Sequence, residues 1–289
     1  MAADETIIEE HIVINMHSEC RLSDYVVGKF ESLPSRKSVK KAIKNGFLKV
    51  DGEISNTGHW VKEGEVLTVH GLPYRHKIYE REIEVLFEDD HLAVVKKPAD
   101  LPTSGNSFRT LRNALPFNLS KSPRPDALIG FEPVHRLDRQ TGGILLIAKT
   151  RTAARKLGEQ FQNKSVSKKY AAIVHGNLER EMKLSTPIDG ATAESIVRPI
   201  QFIDQNRFGS LTRLELVPIT GRTNQLRIHL SEIGHPILGD EKFGGQRSGR
   251  GLLLFAFRLS FPHPISGESM IFELPLPKKF SRFDKSLKP

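Results

Sequence analysis

From residue 83 onward the chain is broken into short apolar runs, at 83–87, 92–95, 144–147, 171–174 and 211–217, spaced by turns. Runs of that length suit strands, and the spacing predicts a β-rich domain. One helix is expected, over 152–162. The segment therefore reads as α+β with an extended, mainly antiparallel sheet. The longest apolar stretches, such as 142–148, are far too short to span a bilayer, so no membrane partner is expected.

The first 82 residues read differently. Residues 1–19 suggest a leader with one short strand at 12–14, and residues 20–71 a small α/β unit. Its first helix is expected near Leu22, with Ser23 or Asp24 at the cap. A second should start at Ser35, after Pro34, and stop at Gly46, where glycine accepts the left-handed turn. Strands are expected at 48–50 and 66–69, with turns at Asp51-Gly52 and Glu63-Gly64-Glu65. Residues 72–82 look like a charged linker, and 83–289 form the larger domain.

The second helix separates its charges. At 100° per residue Arg36, Lys37, Lys40, Lys41 and Lys44 fall within an arc of roughly 140°, opposite Val39, Ala42 and Ile43. No acidic residue interrupts that stripe, so its cations repel one another unless phosphates neutralise them. The whole chain leans the same way: 43 Lys and Arg against 34 Asp and Glu leave a net charge of +9. An excess of this sign favours an anionic partner, nucleic acid first. The single cysteine, Cys20, can form neither an internal disulfide nor a zinc site, which fits a reducing cytoplasm. The polar, acidic start of the chain is not that of a signal peptide.

Two polar clusters can carry chemistry. In the first, His135-Arg136-Leu137-Asp138-Arg139-Gln140-Thr141 leads into Gly142-Gly143 and an apolar strand. A carboxylate among cations stays ionised and can act as a nucleophile or base; a loop salt bridge explains the same pattern equally well. In the second, 220–229, an extended backbone would put Gln225, Arg227 and His229 on one face and Leu226 and Ile228 on the other. The segment 234–240 reads as a structural turn. No glycine-rich cofactor loop follows a first strand, which argues against a methyltransferase, and no metal-ligand cluster stands out.

With these residues in view, the chain resembles the RluA-type family of pseudouridine synthases. The resemblance rests on residues 135–141, on 220–223, 225–227 and His229, on 88–92 with Lys97-Pro98, on 168–170, and on 253–264 and 274–277. The unit at 20–71 resembles the RNA-binding domain of a ribosomal small-subunit protein and of tyrosyl-tRNA synthetases. The resemblance implies an isomerase without cofactor or metal, with Asp138 attacking the target nucleotide covalently or promoting a glycal route. It implies Arg227 as the ion-pair partner of Asp138. It also implies that Tyr170 stacks on the base and assists proton removal. Arg136 enters the space left by a flipped nucleotide, and Lys149, Lys168 and Lys169 meet phosphates. Ribosomal RNA of the large subunit is the expected substrate, transfer RNA the second choice, and the protein is expected to be a monomer. Two positions depart from the family pattern: Gly142 stands where Ser is usual, and Asn224 where His is usual. The competing reading is a non-catalytic RNA-binding or ribosome-assembly factor that retains the fold.

Overall fold

The computed structural model describes residues 7–14, 16, 18–30, 32, 33, 35–70 and 78–283. Pro34, the first six residues of the expected leader, 72–77 of the expected linker, and the last six residues of the larger domain lie outside the described residues. The chain divides into two compact units, Met1–Arg75 and His76–Pro289.

The first unit contains β1 (Ile7–Ile12), α1 (Leu22–Tyr25), α2 (Arg36–Lys44), β2 (Leu48–Val50), β3 (Glu53–Ile54) and β4 (Val66–His70). Its strands form an antiparallel sheet in the order β1-β4-β2-β3. Ser35 caps α2: its hydroxyl accepts from the Ser38 N–H, and the Ser38 hydroxyl accepts from the Ser35 N–H. Asp51 and Gly52, at φ 48° and 82°, make the two-residue hairpin between β2 and β3. Val39, Ala42 and Ile43 are buried with Leu22, Leu48 and Leu67, while the five cations of α2 are exposed.

Three expectations change here. The first strand lies at Ile7–Ile12, because those residues pair along β4; Val13 instead exchanges backbone bonds with Gly64 and Glu65. The cap of α1 is Arg21, with Ser23 buried inside the helix. The stripe on α2 is not free of acid, since Asp24 reaches across from α1 to Arg36 at 2.7 Å. Lys37, Lys40, Lys41 and Lys44 have no ion pair among the described residues.

The second unit runs through β5 (Glu84–Glu88), β6 (Leu92–Lys97), α3 (Leu111–Asn118), β7 (Ala127–Pro133), β8 (Gly142–Thr150) and α4 (Arg151–Gln162). It continues with β9 (Ser167–His175), β10 (Met182–Leu184), β11 (Ser195–Gln205), β12 (Gly209–Pro218) and α5 (Gln225–Glu232). After a short 3-10 turn at Glu241–Phe243 come β13 (Leu254–Pro262), β14 (Ser269–Glu273) and α6 (Lys278–Ser281). The sheet order is β10-β11-β12-β9-β13-β8-β6-β5, with β14 on β13 and β7 on β8. Every pairing is antiparallel except β8 with β13. Architecture and class are therefore α+β with a mainly antiparallel sheet.

The parallel contact explains Gly142-Gly143. Gly143 has φ 133°, and a Cβ there would lie 2.1 Å from the Ala256 carbonyl oxygen. A Cβ at Gly142 would sit 3.2 Å from the Ala99 nitrogen, so the missing serine side chain matches a crowded position. Every residue of β8 is buried, and α4 packs Ala153 and Leu157 into the same core. At about 1.5–3 kcal/mol for each fully buried aliphatic side chain, residues 144–147 alone hold this strand firmly. The loop before β8 thus hangs from a strand buried along its whole length. Among the described residues, no helix is long and apolar enough to cross a membrane.

Candidate active site

Asp138 lies in the loop between β7 and β8, on the wall of a cavity of about 590 Å³ shared with Arg136, Lys168, Tyr170, Arg222 and Arg227. Hydrogen bonds from Thr103, Thr141 and Lys97 shape this loop. Leu137, buried, donates its N–H to the Thr103 hydroxyl at 3.2 Å, and that hydroxyl donates to the Leu137 carbonyl at 3.0 Å. The Thr141 N–H bonds the Asp138 carbonyl at 3.0 Å. Lys97, fully buried, donates to the carbonyls of Pro98, Leu101 and Arg139 at 3.0, 2.7 and 3.3 Å. Burial pushes its ammonium down to about 8, against the opposing pull of Asp138 and Asp100.

His135 is not one of the cations around Asp138. Burial, and then the charge of Lys168, push it down to about 3. It is a neutral acceptor for the Leu146 N–H at 3.1 Å and lies 5.0 Å from the Phe161 ring. Its place is to tie the loop to β8. Arg136 is exposed at the rim.

Residues 225–232 form a helix, not the extended segment their alternation suggested. Period two and period 3.6 both fit so short a run, because Leu226 and Leu230 also share a helical face. Gln225, Arg227 and His229 are all buried, with different duties. The Gln225 amide donates to the Glu194 carbonyl and the Ser195 hydroxyl, while His229 bonds Ser195 and the Thr186 carbonyl, so both pin α5 to the neighbouring chain. Arg227 alone reaches Asp138.

That contact is looser than the expected ion pair. Arg227 Nη1 stands 3.7 Å from Asp138 Oδ2, beyond hydrogen-bond range. The tight partner is Asp240: Nε and Nη2 of Arg227 donate to its two carboxylate oxygens at 2.6 and 2.7 Å. Asn224 Oδ1 accepts from Nη1 at 2.7 Å, and the Phe243 ring covers the guanidinium at 4.8 Å. Burial alone would lower the arginine; the bonds and charge of Asp240, then the charge of Asp138, hold it above its ordinary value. Asp240 is 1% exposed and Arg227 6%, so this pair is dry and well bonded. Asp138 remains 21% exposed and accepts no hydrogen bond among the described residues.

Tyr170, on β9 between Leu216 of β12 and Ala256 of β13, presents its ring to the cavity. Burial, reinforced by the Asp138 charge, pushes its phenol up, so it stays neutral. Lys168 lines the same cavity, its ammonium 5.6 Å from the Phe161 ring and pushed down by burial. Two other expected phosphate contacts face elsewhere. Lys149 is buried and bonded to Glu88 and the Asp89 carbonyl, and Lys169 pairs with Glu215 at 3.1 Å.

Asp240 and Lys97 are the residues that reading the sequence missed. Asp240 ends the segment read as a plain turn. It does close that turn, but Gly239 at φ 88°, packed against the Gly251 carbonyl, also aims it at Arg227. A carboxylate after a glycine at the end of a turn was the only local signal. Among the described residues, no group of three or more His, Cys, Asp or Glu is arranged to hold a metal ion.

The sheet thus brings an aspartate loop, a buried arginine and a tyrosine to the wall of one cavity. A family profile described as RNA pseudouridylate synthase matches residues 91–232. A protein of Aquifex aeolicus named as an uncharacterized RNA pseudouridine synthase is 32% identical, over 85% of this chain and 87% of its own. One of Haemophilus influenzae, named ribosomal large subunit pseudouridine synthase C, is 31% identical over 89% and 88%. The solved structure of human RNA pseudouridylate synthase domain containing 1 shares the fold, with a TM-score of 0.56 and 24% identity over 69% of this chain and 85% of that one. The chain belongs to the RNA pseudouridine synthase family: it is an isomerase whose substrate is RNA.

Proposed function

We propose that this enzyme converts uridine to pseudouridine with Asp138 as the nucleophile, Arg227 as its electrostatic partner and Tyr170 against the target base. One observation carries the assignment. A single buried guanidinium serves two carboxylates, Asp240 through two short bonds and Asp138 across 3.7 Å, and of the two it is Asp138 that lines the cavity. Asp240 is consumed in holding the arginine, whereas Asp138 keeps its lone pairs for carbon. The Arg227 guanidinium stands beside it as the nearest positive charge.

Pseudouridylation breaks the N–C glycosidic bond, turns the base and rejoins it through carbon, which needs no redox partner. As a neutral phenol, Tyr170 offers a stacking face and a donor; to take the ring-carbon proton it must first pass on its own. A base held in a helical stack cannot reach this cavity, so the nucleotide is flipped out at a cost of a few kcal/mol. Arg136 at the rim is the side chain we assign to the vacated space. Lys168 and the exposed lysines of α2 are assigned to phosphates.

For the substrate we propose large-subunit ribosomal RNA, supported by the name of the Haemophilus relative and by the basic charge. We assign the work to a monomer in the cytoplasm, in keeping with the lone cysteine. Asp138→Ala should abolish pseudouridine formation and keep RNA binding; normal turnover by that variant overturns the assignment. Mapping pseudouridines in total RNA from cells with and without the gene tests the substrate, and loss of a transfer RNA site alone would refute it.

A further inference from the structure

The asymmetry between the two carboxylates has a local cause. Arg227 has three nitrogens. Nε and Nη2 are taken by Asp240; Nη1 has two N–H groups and gives one to Asn224 Oδ1 at 2.7 Å, which fixes where the nitrogen lies, with Asp138 Oδ2 at 3.7 Å. An unrestrained guanidinium beside a carboxylate closes to hydrogen-bond distance, since a charge-assisted bond is stronger than one to a neutral amide. Here the neutral amide has the short bond and the carboxylate the long contact.

Asn224 is also oddly employed. It stands at the N-cap of α5, where an asparagine side chain ordinarily accepts from the first-turn N–H groups, yet it makes no such bond. Its backbone is left-handed, at φ 56°. That conformation is uncommon outside glycine, though asparagine tolerates it. With no capping bond to make, the Asn224 side chain is available to another partner. Both departures have the same result: they bring Oδ1 onto Nη1.

We propose that Asn224 is a positioning residue that tethers Arg227 Nη1 and so holds the guanidinium off the Asp138 carboxylate. The arginine then supplies charge without occupying the oxygen that must attack carbon. A carboxylate oxygen that accepts a short bond from a guanidinium is a poorer nucleophile than one that feels the same charge across a gap. The position is also one where this chain departs from the histidine usual in the family it resembles, so the tether is here made by an amide.

The inference rests on Asp138 being the nucleophile, and the test separates the two claims. Asn224→Gly keeps the left-handed backbone and an acceptable cap, so the fold is spared, while the tether is lost. We expect its single-turnover rate at saturating RNA to fall about tenfold with RNA affinity unchanged. We also expect the acid limb of its rate–pH profile to move to lower pH, because the guanidinium, still hinged on Asp240, can then swing Nη1 toward Asp138. The groups facing that carboxylate are Arg227 from α5, Tyr170 from β9 and Lys97 from β6. A general loosening of the site would not move that limb in this direction. Asn224→His, whose ring nitrogen can accept from Nη1, should recover most of the rate. Asn224→Gly with wild-type rate and profile, or with losses only in RNA affinity, overturns the tether. If Asp138→Asn is active, the nucleophile assignment falls first, whatever Asn224 does.

Discussion

Asp240→Asn is the most informative single change outside the cavity. The substitution keeps the volume and one acceptor oxygen but removes the charge and turns an acceptor into a donor facing an arginine. Two charge-assisted bonds of 2.6 and 2.7 Å between nearly inaccessible groups are affected. Removing one partner of a buried pair costs about 3–5 kcal/mol, and the retained oxygen recovers part of it, so we expect a stability loss of roughly 2–3 kcal/mol. The guanidinium limits that loss by turning toward Asp138, 3.7 Å away, which ties up the attacking carboxylate. The single-turnover rate should therefore fall on the order of a hundredfold, while RNA affinity holds. Denaturant melts give the first quantity. Release of tritium from C5-labelled uridine in a saturating RNA gives the second, since that hydrogen is lost when the carbon becomes glycosidic. A variant that loses the stability but keeps its rate within about threefold of wild type would refute the reasoning, and Asp240 would then serve the fold alone.

Three further outcomes follow from the same geometry. His135 is pushed from 6.5 to about 3 on folding, so the unfolded chain binds more protons between those values. Its contribution to stability is complete above pH 6.5 and is lost as pH falls toward 3; His135→Gln should flatten the acid side of a stability–pH curve. Gly143→Ala forces a methyl group to within 2.1 Å of the Ala256 carbonyl, and should lower the melting temperature far more than Gly158→Ala, an open helical position. Lys168→Gln should weaken RNA binding and reduce the slope of log affinity against log salt by about one, whereas Lys169→Gln, at a lysine already paired with Glu215, should leave that slope unchanged.

Much of this protein was legible before any coordinates. The apolar runs at 83–87, 92–95, 144–147, 171–174 and 211–217 became β5, β6, β8, β9 and β12, and the helical spacing at 152–162 became α4. Ser35, Gly46 and Asp51-Gly52 marked boundaries because caps and tight turns are decided by a few adjacent residues. Asp138 and Arg227 were visible in polar clusters and Tyr170 only through the family resemblance, and the structure brings all three to one cavity. Where local signals conflicted, reading failed: the eight residues of α5 alternate well enough for a strand, and their buried polar side chains erase the amphipathic contrast that separates the two periods.

What the sequence determined by itself, then, is the α+β class, the turns and caps, and the identity of the residues able to do chemistry. These depend on neighbours along the chain. Which charges meet was decided only by the tertiary structure. Lys149 and Lys169 look like Lys168 in composition, yet two are neutralised by Glu88 and Glu215 and one faces the cavity. Asp240 reads as the end of a turn until α5 places Arg227 against it. An ion pair forms between side chains that the fold makes adjacent, whatever their separation in sequence, and burial then sets how strongly it is felt. For that reason Asp138 could be named from its own loop, while the arrangement that leaves it free to react could not.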